Sequence, residues 1–194
     1  MTTALTPANQ LTLLRMLLIP AFVILVIYGH LGWALVVFAT AGITDGLDGL
    51  IARRSGQKTR LGAWLDPMAD KLLLVTTFIV LTLPGLGLAN RLPIWLTVLI
   101  ISRDVVIVLT VAIISLATGP RTFQPTIYGK TATATYIVTA VIAMLFNYLG
   151  HHSVLVDLAV WASLTITLIS GFHYMWYATR IIEEPQKKGR TRVA

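Results

Sequence analysis

The sequence predicts an all-α membrane protein, a bundle of six transmembrane helices with both termini on the cytoplasmic side. Three observations carry this. Of 194 residues, 56% are hydrophobic and only 12% are charged, about half the charged share of a soluble domain. The apolar residues come in long runs broken by short charged clusters, the pattern of a chain that crosses a bilayer repeatedly. The basic residues fall almost entirely on one side of those runs, which sets the orientation by the positive-inside rule.

The expected spans are Met16–Tyr28, Trp33–Arg53, Gly62–Leu83, Pro93–Ala117, Thr131–Leu149 and Val154–Tyr177. The first is short for a hydrocarbon core of ~30 Å. The preceding stretch from Pro7 to Arg15 either extends it or lies in the interface as an amphipathic helix. Pro7 suits a first helical turn, and Pro20 is a candidate kink. With the N-terminus on side one, that side receives Arg15 before the first span. It receives Arg53, Arg54, Lys58 and Arg60 between the second and third, and Arg121 and Lys130 between the fourth and fifth. After the sixth it receives Arg180, Lys187, Lys188, Arg190 and Arg192. Twelve of fifteen cations thus share one side, Arg91 alone takes the other, and Lys71 and Arg103 fall inside spans. Trp64, Trp95, Trp161 and Trp176 lie near span ends, where indole rings anchor a helix at the interface.

A single membrane domain is expected over 1–180, with a polar cytoplasmic tail over 181–194. The tail sequence EEPQKKGRTRVA reads as disordered. The first residues show no basic region ahead of an apolar core and no small-residue cleavage site, so no cleavable signal is expected. The chain has no cysteine, which excludes disulfide and thiolate chemistry. A net charge of +7 is explained by topology and by attraction to anionic lipid rather than by nucleic acid, which is not an expected partner. No internal repeat marks the chain as an inverted-repeat transporter.

The chemistry is concentrated in one stretch. Only six Asp and two Glu occur, and four of the Asp fall between residues 45 and 70. Asp45 and Asp48 are three apart, and Asp66 and Asp70 are four apart, so each pair shares a helix face. At ~1.5 Å per residue, Asp48 and Asp45 lie about 8 and 12 Å below the cytoplasmic end of span two, and Asp66 and Asp70 about 6 and 12 Å below that of span three. All four can converge at one depth in a pocket open to the cytoplasm. One ionised group in mid-bilayer costs about 2.5 kcal/mol or more, and like charges raise the cost further. Divalent metal is the natural remedy. Oxygen-only ligands favour Mg2+ or Mn2+, as one ion or two. Gly46, Gly49 and Gly62 leave gaps for a nucleotide or a neighbouring helix, and Arg53 at the mouth is placed to clamp a phosphate. The competing readings are polar glue between helices and a divalent-cation transporter. The first has too few counter-charges, and the second lacks acidic residues toward the outer side, where only Asp157 is available.

This pattern resembles the signature of the CDP-alcohol phosphatidyltransferase family, D-x2-D-G-x2-A-R, eight residues, G-x3-D-x3-D. Asp45, Asp48, Gly49, Ala52, Arg53, Gly62, Asp66 and Asp70 occupy every fixed position. The resemblance implies that Asp45, Asp48, Asp66 and Asp70 bind metal and that Asp70 is the general base toward the acceptor hydroxyl. It implies a CDP pocket that includes Gly49, Ala52, Arg53 and Gly62 and is bordered by Asp45 and Asp48. It further implies a homodimer that takes CDP-diacylglycerol from the membrane, transfers its phosphatidyl group to an alcohol and releases CMP. The opening from Pro7 to Arg15 resembles the P-N-x-L-T-x-x-R start of the glycerophospholipid branch, with an Ala inserted. That branch holds phosphatidylglycerolphosphate synthases and cardiolipin synthases of mitochondrial type, so glycerol 3-phosphate and phosphatidylglycerol are the leading acceptors. Inositol phosphate is the alternative. Asp104 and the segment Pro125–Thr133 resemble cardiolipin synthases, whereas Gly129-Lys130 is more like phosphatidylglycerolphosphate synthases.

The remaining polar residues divide between function and packing. Arg103, Arg121 and Lys130 are candidate contacts to an anionic acceptor. Arg103 and Asp104, about 100° apart on their helix, are not expected to pair tightly with each other. Lys71 reads as a counter-ion. His30, His151 and His152 read as solvated loop residues, and His173 as a packing residue.

Overall fold

The backbone conformation follows from the absence of water in a bilayer, where each peptide group must bond within its own segment. The computed structural model describes residues 7–55, 60–118 and 126–190. Within these, the side chains of 7–9, 45–55, 60–67, 117–118, 177–178, 180 and those from 181 on lie outside the description. The described residues form six α-helices and no strand: α1 (Pro7–Ile27), α2 (Leu31–Ser55), α3 (Arg60–Thr82), α4 (Ile94–Thr118), α5 (Ile127–Tyr148) and α6 (Val154–Arg190). Four stretches among them are long and apolar enough to cross a membrane: Gln10–Ile27, Ile94–Leu116, Ile127–Tyr148 and Val154–Trp176. Among the described residues of α2 the apolar stretch is Leu31–Thr44.

Two boundaries differ from the sequence-based expectation. The stretch from Pro7 to Arg15 is not a separate interfacial helix but the first part of α1, which runs unbroken through Pro20. Pro7 stands at its first position, where the missing N–H removes no internal bond. At the other end, α6 continues through Arg190, so the segment expected to be disordered is helical to that point. Glu183 and Glu184 precede Lys187 and Lys188 by four residues, the charge order that favours a helix.

Two turns are dictated by glycine. At the end of α1, Gly29 has φ +76°. Its N–H donates to the Val26 carbonyl at 3.0 Å, and that of His30 to Leu25 at 2.8 Å. Gly150, φ +69°, repeats the pattern after α5 with bonds to Asn147 and Phe146. This left-handed helix stop satisfies the last carbonyls, and glycine adopts it without a Cβ penalty.

The chain divides into two compact units, Met1–Pro93 with Ala140–Val156, and Ile94–Thr139 with Asp157–Ala194. In the first, α1 packs on α2 and on α3. Its buried stripe is Thr12, Arg15, Phe22 and Val26, a helical spacing that is polar at one end and apolar at the other. Phe22 meets Phe38 of α2 with ring centroids 6.0 Å apart. Beyond the end of α3 the same unit is closed by a buried amide latch. The Asn90 N–H donates to Asn147 Oδ1 (2.7 Å), and Asn147 Nδ2 returns a bond to the Asn90 carbonyl (3.2 Å). Asn90 Nδ2 donates to the His151 carbonyl (2.7 Å), and its Oδ1 accepts from the Ser153 N–H (2.9 Å).

In the second unit, α5 and α6 are joined by hydroxyls rather than by large apolar groups. Tyr136 Oη lies 2.7 Å from Thr167 Oγ1, and Thr139 Oγ1 lies 2.8 Å from Ser163 Oγ. Small hydroxyl residues suit a helix interface in lipid, where packing and hydrogen bonds replace hydrophobic drive.

Candidate active site

Helix α2 carries positions 45–53 of the acidic motif and α3 carries positions 62–70. Both helices pack on α1. The side chains of Asp45, Asp48, Gly49, Ala52, Arg53, Gly62 and Asp66 lie outside the described residues. Asp70 lies within them, at the border of a helix face. Its neighbour Ala69 is fully buried, whereas Met68 and Lys71 are exposed. The Asp70 carboxylate is 43% accessible, and its Oδ1 accepts a hydrogen bond from Arg15 Nη1.

Arg15 was expected to mark topology at the end of the first span. Instead it is 1% exposed and forms an ion pair with Asp70, 55 residues away in the chain. The signal in the sequence is its register, because Arg15 shares the α1 stripe with Thr12, Phe22 and Val26. A cation on a buried stripe requires an anion opposite it. Lys71, expected as a counter-ion, is exposed. Arg15 holds the Asp70 carboxylate from α1.

The donor set fits a hard divalent cation. Four aspartates in a chain without cysteine offer oxygen ligands of the type Mg2+ and Mn2+ take. An ionised carboxylate has two oxygens and about four lone-pair sites, so the bond from Arg15 to Oδ1 is compatible with Asp70 also serving as a ligand. Among the described residues no group of three or more His, Cys, Asp or Glu comes together, and Asp45, Asp48 and Asp66 fall outside them.

The second unit holds the candidate acceptor residues. Arg103 of α4 is 11% exposed and is held at two points. Its Nε donates to Ser170 Oγ of α6 at 3.1 Å, and its Nη1 donates to Asp104 Oδ1 at 2.8 Å. The pairing with Asp104 corrects the expectation from helix geometry. The 100° between adjacent Cα–Cβ directions does not separate the charged ends, because the arginine stem is long enough to turn back along the helix surface. Ser170 had no signal beyond its place in the α6 hydroxyl row with Ser163 and Thr167. Helix α5 begins beside this group. Thr126 caps it, with Oγ1 accepting the Gly129 N–H at 3.2 Å, a standard N-cap geometry. Lys130 is exposed in the first turn, and Arg121 lies outside the described residues.

His173 packs where the sequence places it. Its ring centroid is 4.4 Å from that of Tyr128 and 6.2 Å from that of Trp176. Its Nδ1 is buried without a hydrogen-bond partner among the described residues. His30, His151 and His152 are exposed, as are Trp95, Trp161 and Trp176.

Comparison with known proteins agrees with the motif. The family model described as CDP-alcohol phosphatidyltransferase matches residues 5–170. A Mycobacterium tuberculosis protein named "Probable phosphatidylglycerophosphate synthase" is 35% identical over 183 residues, covering 90% of this chain and 82% of that protein. The rat protein named "Cardiolipin synthase (CMP-forming)" is 33% identical over 194 residues, covering 90% of this chain and 62% of that protein. A Streptomyces coelicolor protein of the same name is 36% identical over 135 residues, 66% of this chain and 60% of that one. A chain whose described residues are helical, with four membrane-length apolar helices among them, matched by this family model over most of its length, belongs to the CDP-alcohol phosphatidyltransferase family, a family of membrane-bound enzymes.

Proposed function

We propose that this enzyme transfers a phosphatidyl group from CDP-diacylglycerol to a glycerol-based alcohol that itself carries phosphate, glycerol 3-phosphate or phosphatidylglycerol, and releases CMP. The observation that carries the reading is the complete acidic motif on α2 and α3, with Asp70 gripped by the buried Arg15 of α1. Asp70 takes the proton from the acceptor hydroxyl, and Arg15 keeps its carboxylate aimed for that task. The oxygen then forms a bond to the phosphorus bearing the lipid, and the bond from that phosphorus to the CMP oxygen breaks. Arg53 clamps a phosphate of the donor, and Gly49, Ala52 and Gly62 leave room for the cytidine diphosphate. Arg103, Arg121 and Lys130 bind the acceptor's phosphate. Asp45, Asp48, Asp66 and Asp70 would hold Mg2+ or Mn2+, which when bound would neutralise the diphosphate charge and favour departure of CMP. The site opens to the cytoplasm, with both termini on that side, in line with the distribution of Lys and Arg. The working unit is a homodimer, following the resemblance, and crosslinking in native membranes would check it.

The test is CMP release by purified protein in mixed micelles. CDP-diacylglycerol, Mg2+ or Mn2+ and one acceptor at a time are supplied, drawn from glycerol 3-phosphate, phosphatidylglycerol, inositol phosphate and serine, and lipid products are identified by chromatography. Chelation is expected to stop turnover. Asp70→Asn is expected to lower kcat by at least about 100-fold, general-base loss being worth about 10²–10⁴. Full activity in that variant would remove Asp70 from the mechanism.

A further inference from the structure

Arg103 has a second feature that its role as an acceptor contact does not explain. Its Nε is committed to Ser170 and its Nη1 to Asp104, so the guanidinium plane is fixed. The remaining nitrogen, Nη2, is directed at the first turn of α5, where residue 129 is glycine. A Cβ built on Gly129 would stand 3.6 Å from Nη2 and 3.4 Å from Thr126 Oγ1. Both are ordinary van der Waals distances, so steric exclusion does not account for the glycine. Nor does backbone conformation, since the positive-φ glycines among the described residues are Gly29, Gly85, Gly87 and Gly150. Helix propensity opposes it, because alanine is the better helix former at this position.

What glycine does provide is an uncovered donor. Among the described residues no protein group accepts a hydrogen bond from Nη2. Gly129 is also the first residue of an open groove lined by Lys130, Thr133, Ala134 and Ile137 of α5. A side chain carrying an oxygen at position 129 would place that oxygen one bond beyond Cβ, within hydrogen-bond reach of Nη2, and would occupy the donor permanently. We propose that Gly129 is a specificity-determining position, keeping the Nη2 donor of Arg103 open for an oxygen of the acceptor's phosphate. This rests on the functional reading above and adds to it the atom that meets the acceptor and the residue that leaves that atom accessible. Gly129 acts through Arg103 and is a positioning residue rather than a catalytic one.

Two variants separate the hydrogen bond from bulk. Gly129→Ser supplies a competing oxygen, and Gly129→Ala supplies the same Cβ without one. Both are made in the full chain and assayed by CMP release with the acceptor the wild type uses, varying acceptor and CDP-diacylglycerol separately. Gly129→Ser is expected to raise the acceptor KM about tenfold, the loss of one charge-assisted hydrogen bond. The donor KM and kcat should stay within about twofold, and Gly129→Ala should change the acceptor KM by less than about threefold. Equal acceptor KM values in the two variants would overturn the proposal, as would a change confined to the KM for CDP-diacylglycerol. If Gly129→Ser does not yield folded protein, Gly129→Ala decides alone: an acceptor KM raised tenfold would show that the glycine is needed for space and refute the hydrogen-bond account, whereas a near-normal one supports it. Wild-type protein that releases no CMP with any acceptor would overturn the functional reading itself, which distinguishes that failure from failure of the Gly129 proposal.

Discussion

Removing the Arg15 guanidinium should both destabilise the protein and slow it, by amounts the geometry bounds. A fully buried ion pair broken at one end costs about 3–5 kcal/mol, and an exposed pair is worth about 0–1 kcal/mol. The pair in this structure has one end in each regime, with Arg15 1% exposed and Asp70 43% exposed. Water reaching the carboxylate compensates in part for the lost cation, so Arg15→Ala is expected to cost about 2–3 kcal/mol, including the lost packing of the arginine stem. The coupling belonging to the pair itself comes from a double-mutant cycle of Arg15→Ala, Asp70→Ala and the double variant. Unfolding in mixed micelles, titrated with denaturing detergent, should give a coupling of about 2 kcal/mol, well above the ~0.5 kcal/mol scatter of independent sites. Arg15→Lys keeps the charge without the planar fork and should recover part of the stability but less of the rate. CMP release by Arg15→Ala should fall about 10- to 100-fold, since a misplaced catalytic group loses that much for a shift of about 1 Å. A coupling energy indistinguishable from zero would refute the pair as a structural element, and unchanged turnover would refute Arg15 as the group that aims Asp70.

Two further outcomes concern parts of the fold that position the site. Thr126→Ala removes the cap on the Gly129 N–H and should destabilise the first turn of α5 by about 1 kcal/mol, with Thr126→Ser recovering most of it; faster amide exchange at residues 127–130 is the readout, and an alanine variant that exchanges like wild type would show that the cap contributes nothing. Asn147→Ala strips the buried Asn90 N–H of its acceptor and should cost about 2 kcal/mol. That corresponds to about 4–8 °C in Tm for a chain of this length, and an unchanged Tm would mean the latch closing the first unit is dispensable.

The sequence was most informative where physics acts locally. Apolar runs located α1, α4, α5 and α6 because a bilayer imposes length and hydrophobicity on any helix that crosses it. The spans over α2 and α3 read as apolar runs interrupted by acidic residues, and what those residues do rests on the spacing of Asp45, Asp48, Asp66 and Asp70 and on what that spacing resembles. Distance along the chain is where the reading thinned. Nothing within a few residues of Arg15 indicates a partner at position 70, and nothing near Arg103 points to Ser170, because such pairs exist only once helices pack. The Arg103–Asp104 pair is hidden for a different cause. Cα–Cβ directions about 100° apart do not fix a charged end that lies several rotatable bonds farther out, and those bonds allow the guanidinium to reach its neighbour's carboxylate.

Arg15 shows how one residue can satisfy a statistical rule and serve another purpose. Counted with the eleven other basic residues on its side, it contributes to an asymmetry that would be nearly the same without it. The charge asymmetry is therefore indifferent to which partner Arg15 meets. Stability is not, because a guanidinium buried to 1% can be retained only against an anion, and the anion it meets is the carboxylate assigned to proton abstraction. Placing that cation on α1, outside the two helices that carry the acidic motif, ties the first helix to the proposed general base. A change on α1 that rotates or shifts Arg15 would then move the Asp70 carboxylate without altering any residue of the acidic motif on α2 and α3.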